Sequence, residues 1–170
     1  MYYSSTSNRT INGSTVYPNI YKYSALRAFL NGKYESGDPQ SKTYLNNGFL
    51  QRAFTSSAQS RLRAAGPEND KVFVLSKGEA TTESYGFNPD PTWAHYGLRM
   101  VRTTDYAKAK HVFQSKWTDG KYESNWWLRS PRDINSTQSR IVGGDAKIVH
   151  DVSVNNDTVG IVPAIVLNDF

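Results

Sequence analysis

Two apolar segments in the last third of the chain, Trp126-Trp127-Leu128-Arg129 and residues 160–167, constrain the fold more than any other feature. Both are rich in β-branched or aromatic residues, and the first runs into the turn signal Ser130-Pro131, so each reads as a strand. Adjacent Trp126 and Trp127 must face opposite sides of theirs. One is expected in the core, the other toward a second layer or the outer face. Residues 160–167 carry Ile161, Val162, Ile165, Val166 and Leu167, and Pro163 predicts an edge or a bulge there. Between the two segments, residues 139–142 and 147–154 predict further strands, joined around Gly143-Gly144-Asp145.

The first half punctuates differently. Ser24 caps a helix in which Leu26, Phe29 and Leu30 share a face, and Gly32 stops it. Tyr44, Leu45, Phe49, Leu50, Ala53 and Phe54 follow with helical spacing. Ser56 and Gln59 make a capping-box pattern for a helix running to Ala65, stopped by Gly66-Pro67. Val72-Phe73-Val74-Leu75 predicts a buried strand. Ser76 and Glu79 repeat the capping-box pattern before a short helix that fades by Gly86. Residues 87–100 read as loop, and residues 105–112 as a last short helix after Thr103 or Thr104. Helices first and a β meander last predict an α+β layout in one domain spanning residues 1–170.

Composition narrows the chemistry. The 170 residues contain no cysteine, which excludes disulfides, zinc-thiolate sites and a thiol nucleophile. The net charge of +5 comes from scattered Lys and Arg, which reads as a solvated surface and not a nucleic-acid footprint. No apolar run reaches the length of a membrane span, so no direct membrane insertion is expected. Residues 1–20 lack a signal-peptide core, and any export signal or anchor would lie outside this chain. Eleven tyrosines suit a recognition surface, because Tyr supplies contact area at low entropic cost.

His95, His111 and His150 stand alone, and no serine sits in a Gly-x-Ser-x-Gly elbow. Arg129 reads as a structural partner for an acid. Asp145, Asp151, Asn155, Asn156 and Asp157 could gather by chance, but no calcium-loop pattern supports a metal site. Neither an enzyme nor a cofactor is expected.

Six motifs in order carry a family likeness: ALRAFLNG (25–32), FLQRAFTSSAQ (49–59), NDKVFVLSKGEA (69–80), TTDYAKAK (103–110), WWLRSP (126–131) and GIVPAIVLN (160–168). Together they resemble a bacterial domain family of unknown function. That family is related to the sulfatase-modifying (formylglycine-generating) superfamily and to the variable proteins of diversity-generating retroelements. The resemblance implies a C-type-lectin-like fold in a surface or exported protein, and an N-terminal strand of the family ahead of residue 2 that this chain does not contain. Formylglycine chemistry needs cysteines, so that activity does not carry over.

The resemblance also implies that residues 132–156 form a displayed face. The polar run RDINSTQSR (132–140) is of the kind that forms binding loops between rigid strands. Candidate ligand contacts are Arg132, Asp133, Asn135, Gln138, Arg140, Asp145, His150 and Trp127, with packing by both tryptophans as the simpler alternative for Trp127. The expected function is a monomeric recognition module for a protein or glycan at the cell surface or outside the cell. The alternatives are a catalytically inactive, structural relative of the sulfatase-modifying enzymes, and an enzyme of unknown type.

Overall fold

The computed structural model describes residues 5–33, 35–38, 43–92, 98–116, 122–133, 136–148 and 150–168. Within them the chain is a mixed α and β structure of short helices and small antiparallel sheets. A hairpin of β1 (Arg9–Ile11) and β2 (Ser14–Val16) leads into α1 (Ala25–Asn31). Ser24 Oγ accepts from Arg27 N (3.0 Å), and Gly32 closes the helix with φ +62°. A left-handed terminal residue of this kind is why glycine stands there.

The next apolar stretch makes less helix than its spacing predicts. Asn46 takes φ +56°, and α2 (Phe49–Ala53) starts only after Gly48, whose N–H donates to Gln51 Oε1 (2.9 Å). A helix α3 (Ser56–Ser60) comes next, capped by Thr55 and not Ser56, since Ala58 N donates to Thr55 Oγ1 (3.2 Å). The expected continuation to Ala65 fails because β3 (Leu62–Arg63) pairs antiparallel with β9 (Val166–Leu167). Tertiary pairing overrides local propensity there.

Val72, Phe73 and Val74 are buried as predicted, but they do not form the expected strand: one isolated bridge, Phe73 to Ala164, joins them to the last segment. The capping box at Ser76 and Glu79 forms, with Ser76 N donating to Glu79 Oε2 (2.7 Å) and Glu79 N to Ser76 Oγ (3.1 Å). In place of the expected helix it opens a pair of 3-10 turns, 79–81 and 83–85, ended by Gly86 at φ +85°. Helix α4 (Asp105–Ala109) is capped by Thr104 and stops three residues short of the expected Val112, with His111 at φ +60°. β4 (Gln114–Lys116) and β5 (Tyr122–Ser124) then pair in a hairpin that the sequence did not announce.

The central sheet is β6 (Trp126–Pro131), β7 (Gln138–Val142) and β8 (His150–Ser153), antiparallel in that order. Its β6 strand is buried on both sides. Trp127 and Ile141 join Leu26, Leu30, Val72 and Val74 in one core cluster, while Trp126, Leu128 and Val142 join Ala80 and Ile148 in another. The period-2 alternation thus sends the two indoles into separate cores. Of the final apolar segment only Val166–Leu167 is ladder-paired. Gly160 bridges Trp126 in parallel and Ala164 bridges Phe73, which leaves Pro163 without a ladder bond to supply.

Two buried arginines brace this arrangement. Arg27 makes a two-pronged pair with Asp70 (Nε–Oδ2 2.6 Å, Nη2–Oδ1 3.0 Å), and Lys33 Nζ adds a bond to the same carboxylate (2.9 Å). Arg99 donates to the backbone carbonyls of Ala146 (2.9 Å), Asn88 (2.7 Å), Asp90 (2.8 Å) and Ala80 (3.3 Å). Through these bonds it ties three loops to the second core.

Candidate functional site

The expected displayed face begins at the end of β7 remote from the Gly143-Gly144 turn. Gln138 and Arg140 alternate with Ser139 and Ile141, which are 0% and 2% exposed, so the outward positions rest on a closed inner layer. In register, Arg140 lies opposite Asp151 and Gln138 opposite Ser153. Residues directly opposite across an antiparallel pair share a face, and the side chains bear this out. Arg140 Nη1 reaches Asp151 Oδ1 (3.3 Å), and Arg132 Nε lies 3.7 Å from Asp151 Oδ2. Arg132 also pairs with Asp133 (3.5 Å) and donates from Nη1 to Gln138 Oε1 (2.6 Å).

Four of the candidate residues therefore meet: Arg132, Asp133, Gln138 and Arg140, around Asp151. Asp151 was missed as a member because its place depends on the β7–β8 register, and only pairing Arg140 with a residue of the next strand would have revealed it. Asp145 does not join them. It lies beyond Gly144 at the opposite end of β7, where Oδ1 accepts from Lys147 N (3.2 Å) and Oδ2 faces Lys147 Nζ (3.7 Å). Trp127 is corrected outright: it is 0% exposed within the first core and cannot touch a surface ligand. Asn135 lies outside the described residues. His150 is placed in register opposite Ile141, and its side chain lies outside the described part of the chain.

The loop entering this cluster is held from beneath. Asn19, 0% exposed, donates from Nδ2 to Asp133 O (2.6 Å) and Gln138 O (3.1 Å), fixing both ends of residues 133–138. Arg132 N adds a bond to Gln138 O (3.1 Å). The loop is thus held at Asp133 and Gln138, while Arg132 and Asp133 stay 51% and 75% exposed at their side chains.

The described residues also line two clefts. One of about 430 Å³ is walled by Phe73, Leu75, Tyr85, Phe87 and Ile165, with Arg63 and Glu79 at its polar edge. Burial pushes the Glu79 carboxyl up, but hydrogen bonds from Arg129 and Ser76 outweigh this and hold it below its ordinary value. Glu79 thus stays ionised and paired, and Arg129 is the structural partner its position implied, donating to Glu79 and to Val74 O (2.9 Å). The second cleft, of about 330 Å³, lies between Asn19–Lys22, Pro67-Glu68, Ser76 and Arg129-Ser130-Pro131.

Among the described residues no group of three His, Asp or Glu is placed to hold a metal ion, and no described helix is long and apolar enough to cross a membrane. Comparison with curated proteins and with solved structures yields no match. The family model for a domain of unknown function, DUF6273, matches residues 2–169, nearly the whole chain, and the protein belongs to that family.

Proposed function

We propose that this domain is a recognition module of a bacterial surface or exported protein, with a C-type-lectin-like architecture, that binds a protein or glycan through the Arg132–Gln138–Arg140 face. The carrying observation is the cluster around Asp151, built on a sealed strand face and a pinned loop. Arg140 and Asp151 are only 25% and 19% exposed at their side chains, but the pairs made by Arg132 face solvent, and such pairs are each worth about 0–1 kcal/mol. They contribute little to folding, so a ligand carboxylate, hydroxyl or amide can exchange partners with them at small cost. The arginines offer forked donors and Gln138 an adaptable amide, the groups that read polar ligands.

A lectin-like architecture is supported by the layout: helices precede an antiparallel terminal sheet, and Gly160 of the last segment bridges Trp126 in parallel. The acid in the larger cleft is paired and ionised, which favours binding over proton-transfer chemistry there.

The test is a glycan and protein array probed with the wild-type domain and with an Arg132→Ala/Gln138→Ala/Arg140→Ala variant. A hit that weakens at least about tenfold in the variant, with unchanged melting, supports the reading. A hit held equally by both proteins, or no hit, sinks it. Fractionation of cells producing the native protein addresses location, and recovery only from the cytosol would remove the surface assignment.

A further inference from the structure

The larger cleft leaves apolar surface facing water. Tyr85 and Ile165, which line it beside Phe73, Leu75 and Phe87, stay 61% and 40% exposed. Leu98, also exposed, stands over Gly86, between Tyr85 and Phe87 in the chain. Large apolar side chains gathered at a concave surface and left in water mark a place that a ligand covers.

The cleft carries two charged groups, and they differ. The Glu79 carboxylate is fully answered: Oε1 accepts from Arg129 Nη2 (2.7 Å), and Oε2 from Ser76 N (2.7 Å), Ser76 Oγ (2.9 Å) and Arg129 Nη1. Arg63 has no such answer. Its side chain is exposed and makes no hydrogen bond or ion pair among the described residues. Register sets its place. Arg63 lies opposite Val166, and Phe73 bridges Ala164 two residues earlier, so the last segment brings the cation and the ring to one cleft.

From these observations we infer that the cleft binds a free monocarboxylic acid with an apolar body, an alkyl or aryl acid. The guanidinium fork matches a carboxylate through two parallel N–H···O bonds. Phe73, Tyr85 and Phe87 offer ring surface to the apolar body. One unanswered cation calls for one negative charge, and the ionised Glu79 on the same cleft works against a second. A volume near 430 Å³ falls within the roughly 300–1,000 Å³ of small-molecule sites, which favours a free acid over a stretch of polypeptide. None of these residues belongs to the Arg132 face, so the inference goes beyond the recognition reading and does not rest on it.

The experiment is amide NMR of the whole chain, titrated with octanoate and 3-phenylpropionate beside their neutral amides, octylamine and octyl phosphate. At least one acid should shift the Arg63, Tyr85 and Ile165 signals saturably and bind at least about fivefold tighter than its own amide. Arg63→Gln should erase that preference, and Ala65→Trp, at an exposed position of the lining, should weaken acid and amide alike. Arg132→Ala should change neither. Melting curves show whether Ala65→Trp remains folded, and Arg63→Gln, at an exposed and unpaired side chain, decides the matter if it does not. No saturable shift at these residues, equal binding of acid and amide by the wild type, or an acid preference that survives Arg63→Gln would each overturn the inference. So would acid binding unchanged in a folded Ala65→Trp, or tighter binding of octylamine or octyl phosphate than of octanoate. Shifts confined to Arg132, Gln138 and Arg140 would overturn it while leaving the outer face as the binding surface.

Discussion

Asn31 sits in the last turn of α1, yet its amide acts as a strand neighbour. Nδ2 donates to Val72 O (2.6 Å), and Oδ1 accepts from Val72 N (3.2 Å). The side chain thus supplies both bonds that an adjacent strand would have given, which is how Val72 stays buried at 0% exposure outside any ladder. Asn31→Leu would leave a donor and an acceptor of Val72 buried and unmade. The expected loss is about 2–4 kcal/mol, read as a lower denaturant midpoint with unchanged slope. Asn31→Asp should lose nearly as much, because a carboxylate accepts from Val72 N and repels Val72 O. Equal stability of Asn31→Leu and wild type would show that the amide contributes nothing. The burial of Val72 was legible from its β-branched run, although no ladder-paired strand forms there. Its partner was not, because a side chain substituting for a strand leaves no periodic trace in the sequence.

Among the elements, α1 and α2 approach most closely where Gly48 precedes α2. A Cβ added at Gly48 would collide with the backbone atoms Gly32 N and Phe29 O, which cannot swing aside as a side-chain tip can. Gly48→Ala should therefore push the helices apart and cost about 1–3 kcal/mol, checked by thermal unfolding. At Gly13, where nothing lies within 4 Å of the added atom, the same change meets no collision, though its φ of +79° still strains it. Caps were among the more legible features: Ser24, Gly32 and the Ser76–Glu79 box act through bonds spanning three or four residues, within the reach of a local pattern, whereas the sequence left Thr103 and Thr104 open and marked Ser56 where Thr55 caps. β3, β4 and β5 were illegible for the converse reason. Strands of two or three residues are too short to show alternation, and their existence depends on partners far away, such as Val166 for Arg63.

At the scale of the molecule, the Glu79–Arg129 pair joins the 76–86 loop to the central sheet, and its acid carries a pH dependence. The Glu79 carboxyl is held below its ordinary 4.5, so the pair's contribution is fully present above that value and fades as pH falls through the folded one. Melting temperature followed from neutral pH down to about pH 3 should fall less steeply in Glu79→Gln than in wild type, from a lower starting point. Parallel curves would show that the pair does not contribute to acid sensitivity. The candidate site was legible in the same uneven way. Its loop residues Arg132, Asp133, Gln138 and Arg140 could be picked out by polar composition between strands. Asp151 and Asn19 entered only through the sheet register and through contacts more than a hundred residues apart in sequence, as from Asn19 to Asp133.

Residues 160–168 touch the rest of the molecule at widely separated places: Gly160 at Trp126 and Asn125, Ala164 at Phe73, Val166 and Leu167 at β3, and Asn168 at Arg61. Each seam closes a loop of many tens of residues, and entropy must be surrendered before any of them is rewarded. A chain made from its N-terminus therefore keeps these seams open until residues 160–168 have been added. The hairpins and the central sheet can pair without this ribbon, whereas β3 and Phe73 meet their partners only once it has been made.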